Sequence, residues 1–283
     1  MPELPEVETI RRDLLPHVVG RTITAVRVAP GAERVIRDDN AFARRLAGRR
    51  IDALTRRGKY LLFRLEGARP PLYLAVHLRM TGSLLHRGAV DPPDTYVRVT
   101  IALDDATELR YADLRKLGQM WLVESPDDAV GALGPEPLDA AFTATKLGQI
   151  LSRRCAPVKA VLLDQRAVAG IGNIYADEAL FAARMHPRRL AITLTEAEVK
   201  RLHRAIRRTL NDALGNRGSS FRDYVDAAGR EGTHQLRVKV FRRTGWPCYV
   251  CRTEIARIKL GGRSTHFCPR CQPSPLTSDR SSR

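Results

Sequence analysis

Apolar positions along the chain change their period more than once. After Pro5, apolar side chains recur at Val7, Ile10 and Leu14, which is helical spacing, with a proline early and Gly20 beyond the end. This spacing predicts a first helix. From Arg21 to about Glu124 the pattern becomes short β-rich runs, TITAVRV, KYLLFRL, LYLAVHL and YVRVTIAL, separated by Gly, Pro and Asp clusters. These predict a β-sandwich or barrel. The segment LGPEPLD, Leu133 to Asp139, has the Gly and Pro content of a linker and marks a predicted domain boundary, with helical patterning beyond it to about Leu214. Within that half, Thr195 with Glu198 forms a capping-box signature, and Val199, Leu202, Ile206 and Leu210 mark one helical face that ends at Gly215. VKAVLLD and NIYADEALFAARM read as two helices joined through RAVAGIG, so Gly170 and Gly172 fall at a tight turn before a helix amino terminus. Such a turn can cradle a phosphate, but a lone Gly-x-Gly is more often an ordinary turn. The last residues, PSPLTSDRSSR, follow no pattern and are expected to be disordered.

Composition narrows the class. With 283 residues, 43% apolar and 28% charged, the chain reads as a soluble globular protein of one large or two moderate domains. No apolar stretch approaches membrane-spanning length, which predicts no membrane partner. The start, Met-Pro-Glu-Leu-Pro-Glu, lacks the apolar core of a secretory signal, so a cytoplasmic location is expected. The charge is strongly basic, 48 Lys and Arg against 31 Asp and Glu, a net +17. That is the footprint of a phosphate-backbone binder. Arg far outnumbers Lys, an excess that genome composition can also produce, so charge alone leaves a generic basic protein open.

Chemistry enters with the cysteines. Cys248-x-x-Cys251 and Cys268-x-x-Cys271 lie sixteen residues apart, the spacing of a tetrahedral four-thiolate zinc site. Four ligands leave no open position, so the expected zinc is structural, one per chain, with RTEIARIKLGGRSTHF as the hairpin it would hold. Two disulfides are the alternative, but they suit a secreted protein. Cys155 reads as a small buried side chain.

The amino terminus matters for another reason. A Met followed by Pro is normally trimmed, which would expose a secondary amine at Pro2. An α-amino group titrates near pH 8, so a useful fraction is nucleophilic at neutral pH. Glu3 lies beside it as a candidate proton carrier and Glu6 follows one helical turn later. The plainer reading is that Pro5 and these acids simply begin a helix, an end that favours negative charge.

The motifs MPELPEVET, GKYLL at Gly58 to Leu62, HLRMTGSL, GPEPL, GIGNIYADEALF and the terminal CxxC pairs closely resemble bacterial formamidopyrimidine-DNA glycosylase, in order over nearly the whole chain. The resemblance implies a multidomain α+β protein. It would comprise an N-terminal β-sandwich with flanking helices (1–134), a helical helix-two-turn-helix domain (135–235), a zinc ribbon (236–273) and a disordered tail (274–283), with DNA across the cleft between the domains. It implies a bifunctional glycosylase and AP lyase of base excision repair. The substrate would be damaged double-stranded DNA carrying oxidised purines such as 8-oxoguanine or formamidopyrimidines, processed through a Pro2 Schiff base and β,δ-elimination. By motif, Pro2 is the nucleophile, Glu3 the acid/base, Lys59 a phosphate contact and proton donor in β-elimination, and Arg263 in GGRSTHFC the arginine of δ-elimination. Glu6, His77, Arg154 and Asn173 match DNA-contact positions. Met80 and Arg115 match two of the three residues that fill the gap left by an extruded base. The third is Leu117, where Phe is typical, so apolar insertion is kept and ring stacking is lost. The resemblance further implies no redox cofactor, a monomer, and a bacterial, nucleoid-associated cytoplasmic enzyme.

Three rival readings stand beside this one. The sister glycosylase endonuclease VIII prefers oxidised pyrimidines, and its amino terminus typically reads PEGPE, against Leu4 and the Met80/Arg115 pair here. A catalytically silent DNA-binding relative would not need Pro2, Glu3, Lys59 and Arg263 together, although a retained Met1 would block the amine. A zinc-ribbon RNA-binding protein leaves the β-rich half without a role.

Overall fold

The structure is a computed structural model that describes residues 2–37, 41–67 and 70–274. Its contacts divide the chain into two compact units, Met1–Ala132 with Ala213–Gln235, and Leu133–Asp212 with Leu236–Arg283. Residues 213–235, assigned from sequence to the helical part, thus cluster with the first unit. The predicted tail beyond Ser274 and the fate of Met1 lie outside the described residues.

In the first unit, helix α1 (Leu4–Val18) forms where the apolar spacing placed it, with Leu4, Val7, Ile10, Leu14 and Val18 buried on one face. Among the described residues eight strands follow: β1 (Ile23–Val28), β2 (Ile51–Arg57), β3 (Tyr60–Leu65), β4 (Leu72–His77), β5 (Gly82–Gly88), β6 (Val97–Leu103), β7 (Thr107–Asp113) and β8 (Gln119–Val123). They build two antiparallel sheets, ordered β1-β6-β7-β5 and β2-β3-β4-β8. Leu61, Phe63, Leu74 and Val76 from one sheet share a core with Val99, Ile101, Leu109 and Tyr111 from the other. α1 packs on β2 and β3. Leu61, Leu62 and Phe63 are therefore buried in succession rather than alternately, as expected where a sheet is covered on both faces. Tyr224 and Ala227, from the second segment of the unit, join the same core.

The second unit is helical and ends in a hairpin. It contains α4 (Ala144–Leu151), α5 (Val158–Leu163), α6 (Asn173–Ala182) and most of α7 (Glu196–Gly215), then β9 (Ala256–Leu260) paired with β10 (Arg263–Phe267). Two short helices of the first unit, α2 (Phe42–Leu46) and α3 (Pro126–Val130), precede these. α7 starts with the predicted capping box: the Thr195 amide donates to Glu198 Oε2 at 2.8 Å and the Glu198 amide to Thr195 Oγ1 at 3.3 Å. α6 is buried along Ile174–Phe181, including two carboxylates. Glu178 accepts the amides of Lys239, Val240 and Phe241 at 2.7, 2.9 and 2.9 Å. Burial pushes its carboxyl above the usual range.

Two sequence expectations change here. The segment at Leu133–Asp139 is packed: the Gly134 amide donates to Gln165 O at 2.8 Å, and the Ala169 amide to Pro135 O at 3.0 Å. A Cβ on Gly134 would lie 2.6 Å from the Ala167 backbone, so the glycine is required by close approach rather than by looseness. Cys155, expected to be buried, is exposed in the loop after α4.

A fully buried ion pair fastens this unit. Lys159 Nζ lies 2.6 Å from Asp177 Oδ1, both side chains at 0% exposure, and also donates to Thr265 Oγ1 at 2.7 Å and Ser264 O at 3.1 Å. Asp177 Oδ2 in turn accepts the His266 amide at 2.9 Å. Lys159→Met is expected to destabilise the unit by about 3–5 kcal/mol, because it leaves the Asp177 carboxylate buried without its cation. Urea unfolding monitored by circular dichroism measures this, and a loss below about 1 kcal/mol would contradict it.

Candidate functional site

Glu3 is the N-cap of α1 and forms a reciprocal capping box with Glu6. Its amide donates to Glu6 Oε2 at 2.8 Å. The other Glu6 oxygen, Oε1, accepts the Ser219 amide at 2.8 Å. Pro2, Glu3 and Glu6 are all buried, the two acids at 2% and 1% exposure. Glu6, expected from sequence to contact DNA, is therefore committed inside the chain, where one carboxylate holds the start of α1 to the segment at Ser219. Gly218 makes the approach possible: its φ is +79°, and an added Cβ would sit 2.7 Å from Glu6 Oε1.

The same segment is clamped a second time. The Arg217 guanidinium lies 2.5 Å from both Asp13 on α1 and Asp226, and Asp226 also pairs with Arg230 at 3.2 Å. No local sequence pattern reports an ion triad spread over more than two hundred positions.

Lys59 sits with Gly58 in the two-residue turn between β2 and β3, where Arg57 pairs with Tyr60. Gly58 has φ +55°, as such a turn requires. Glu8 on α1 binds Arg56 at 3.0 Å, and Arg56 donates to Gly58 O at 2.8 Å, so a short chain of bonds ties the Lys59 turn to α1. Burial alone would raise the Glu8 carboxyl, but bonds from Arg11 and Arg12 and the charge of Arg56 hold it down at about 2.

His77 ends β4, and its ring meets Tyr60 edge-on at 4.6 Å. Burial, with Arg79 and Lys59 nearby, pushes it down to about 3, so the ring is neutral at physiological pH. Nδ1 accepts the Arg79 amide at 3.1 Å, which leaves Nε2 as the N–H donor. His77 can thus offer an anion a hydrogen bond but no charge.

Met80 and Leu117 are exposed by 43% and 42%. Arg115 lies beside Met80, with Nη1 3.7 Å from Sδ. One buried acid shapes the Arg115 loop: Asp113 accepts the Arg115 amide at 3.1 Å, the Gly118 amide at 2.8 Å and Thr81 Oγ1 at 2.5 Å. Asp113 positions this loop, and sequence reading missed it. Its only local sign is the sharp turn that follows it, where Lys116 takes φ +53°.

In the second unit, Asn173 opens α6 directly after Gly172, and its Nδ2 donates to Ser264 O at 3.0 Å. Ser264 follows Arg263, so the glycine turn and the exposed Arg263 at the tip of the β9–β10 hairpin are brought together. The Asn173 Oδ1 atom is buried without a hydrogen-bond partner among the described residues. Arg154 is half-buried and lies 3.5 Å from Asp164, so its charge is partly engaged. Each unit therefore carries its own share of the predicted residues.

Cys248, Cys251, Cys268 and Cys271 place their four sulfurs within 4.8 Å of one another, and all are free thiols rather than disulfides. Tetrahedral zinc with Zn–S bonds of about 2.3 Å needs sulfurs roughly 3.8 Å apart. The Cys248–Cys271 separation of 3.9 Å and the Cys251–Cys268 separation of 3.3 Å bracket that value. The Val250 amide points at Cys248 Sγ and the Cys271 amide at Cys268 Sγ, each at 3.4 Å, the contacts expected around thiolates. The donor set fits one structural zinc ion.

Family models match the chain in three places. Residues 1–120 match the formamidopyrimidine-DNA glycosylase N-terminal domain, 133–224 the H2TH domain of the same enzymes, and 245–273 a zinc finger found in these proteins and in IleRS. The formamidopyrimidine-DNA glycosylase of Symbiobacterium thermophilum is 49% identical over 279 residues, covering 97% of this chain and 90% of its own. That of Pelotomaculum thermopropionicum is 46% identical, with 96% and 99% covered. Among solved structures, a Lactococcus lactis variant enzyme in complex with DNA containing Fapy-dG superposes with a TM-score of 0.87 at 35% identity, covering 96% of this chain and all of that one. The Thermus thermophilus protein does so with a TM-score of 0.84 at 42% identity, covering 97% and all of that chain.

Proposed function

Because the chain belongs to the formamidopyrimidine-DNA glycosylase family, we propose that Pro2, Glu3 and Lys59 carry its chemistry. The enzyme is a DNA glycosylase with AP lyase activity that removes oxidised purines from double-stranded DNA in base excision repair. The observation that best supports the residue assignment is the Glu6 carboxylate, which fixes the Pro2–Glu3 dipeptide against Ser219. A nucleophile must be held in place to gain from proximity.

Removal of Met1 leaves Pro2 with a free secondary amine. Its lone pair attacks C1′ of the damaged nucleotide as the C1′–N bond breaks and the base leaves with a proton. Glu3 supplies a proton toward the sugar ring oxygen, which opens the ring and leaves an iminium between Pro2 and C1′. That iminium withdraws electrons, so a C2′ proton is lost and the 3′ phosphate departs by β-elimination, with Lys59 as proton donor. A second elimination, assisted by Arg263, releases the 5′ phosphate and frees the amine on hydrolysis. His77, Asn173 and Arg154 bind phosphates, and Met80, Arg115 and Leu117 occupy the space left by the extruded base. Zinc takes no part in these steps: when bound by the four cysteines it holds the hairpin that presents Arg263. The setting is bacterial cytoplasm with DNA as the bound partner. No helix among the described residues is long and apolar enough to cross a membrane.

The test compares duplexes carrying 8-oxoguanine opposite cytosine with duplexes carrying an oxidised pyrimidine. We expect excision of the purine to be faster by at least about tenfold, with DNA affinity falling as salt rises by a log–log slope of about −0.9 per phosphate contact. Faster pyrimidine excision would move the substrate assignment to the endonuclease VIII type. Tight binding without excision of either would mean a silent DNA-binding relative.

A further inference from the structure

The β9–β10 hairpin has two ends, and the function above uses only one of them. Arg263 lies at the tip, where it pairs with Leu260. At the other end, beside the cysteines, Trp246, Tyr249 and Val250 are exposed by 63%, 55% and 64%. Five paired positions run from one end to the other, roughly 13 Å of strand. Three large apolar side chains exposed together on one small knuckle form the kind of patch that marks a contact surface.

The patch is set in positive charge. From Arg237 to Glu254 the chain carries five cations, Arg237, Lys239, Arg242, Arg243 and Arg252, against one acid, Glu254. Four thiolates around one zinc ion leave a net charge of about −2, so these cations exceed what the metal centre needs. Their placement is specific. The Arg243 guanidinium lies 3.7 Å from the Tyr249 ring centroid and 5.7 Å from that of Trp246, and Lys239 Nζ lies 5.0 Å from Tyr249. Arg243 is itself buried and anchored to Lys239 O and Pro247 O.

We propose that this surface docks an acidic peptide segment of a partner protein, one that alternates carboxylates with apolar side chains. The carboxylates reach Lys239 and the neighbouring arginines, while apolar side chains pack on Trp246, Val250 and the ring edges. A single-stranded nucleic acid would also bring negative charge, but the Arg243 guanidinium already stacks on the Tyr249 ring at 3.7 Å, which takes one of the faces that base stacking would use. The inference is independent of the lesion specificity argued above.

The experiment uses the full, zinc-loaded chain and a fluorescein-labelled synthetic peptide of alternating Asp/Glu and Phe/Leu. Its control has every Phe and Leu replaced by Ser. At about 0.15 M salt, where screening falls within about 8 Å, fluorescence anisotropy should show the apolar peptide binding at least about tenfold more tightly than the control. Trp emission should shift to the blue as Trp246 is covered, since Trp121, the other tryptophan, is already 3% exposed. Val250→Asp should remove that tenfold preference, and Lys239→Glu should weaken both peptides alike by at least about tenfold, while zinc content and 8-oxoguanine excision stay at the parent level. Equal affinity for both peptides, or an undiminished preference in Val250→Asp, would overturn the proposal. So would oligothymidine binding that falls in Val250→Asp while peptide binding does not, or a dimer in sedimentation that the same substitution dissolves.

Discussion

Glu3→Gln is expected to lower excision of 8-oxoguanine by about 10²–10⁴-fold, the range attributed to a single general acid/base group. The side chain is 2% exposed, and Gln keeps the acceptor oxygen of the capping box, so the fold should survive. The substitution removes the proton that opens the sugar ring and leaves the Pro2 amine in place. A pre-formed abasic site, whose hemiacetal opens to the aldehyde without help and has no base to lose, should therefore still be bound covalently and cut. That split separates a proton carrier from a folding defect: if both substrates lost activity together along with a fall in Tm, Glu3 would be structural.

The second large effect concerns the metal. Apart from Phe181, Val240 and Ile255, the small cluster under the hairpin consists of the cysteines themselves. Two strands without a larger apolar base do not hold together in water. Cys248→Ser is thus expected to drop zinc from one per chain to far below one and to loosen β9 and β10. Arg263 would lose its fixed position, and DNA affinity should fall by at least about tenfold, roughly 1.4 kcal/mol. Inductively coupled plasma measurement of zinc and a DNA titration check the two halves. Full zinc content with unchanged DNA affinity would contradict the assignment.

The parts of this fold that were legible in the sequence are those set by local rules. The face of α1, the Thr195–Glu198 cap of α7 and the CxxC pairs each report themselves within a few residues. What stayed hidden depends on partners far away in the chain. Lys159 and Asp177 look like ordinary surface charges in VKAVLLD and NIYADEALF, yet they are fully buried because each neutralises the other and binds β10. Asp113 reads as one more acid at a strand end, but it organises the loop that carries Arg115 and Leu117. The glycine and prolines after Leu133 have the composition of a linker, and their packing against Gln165, Ala167 and Ala169, distant in the chain, leaves no local sign. Likewise the acid pair Glu3 and Glu6 follows the helix-start pattern, and the structure confirms that plainer reading as a capping box. It adds the Ser219 contact, which ties the same acids to a distant loop.

The central claim is that the Pro2 amine attacks C1′, and borohydride trapping tests it most directly. Purified protein is incubated with a duplex containing 8-oxoguanine opposite cytosine, reduced, digested and analysed by mass spectrometry. The account predicts one covalent adduct, on the nitrogen of Pro2 in a chain that has lost Met1, and its loss when Met1 is retained. An adduct on Lys59 or another lysine, or excision with no trappable adduct from a chain beginning at Pro2, would contradict it.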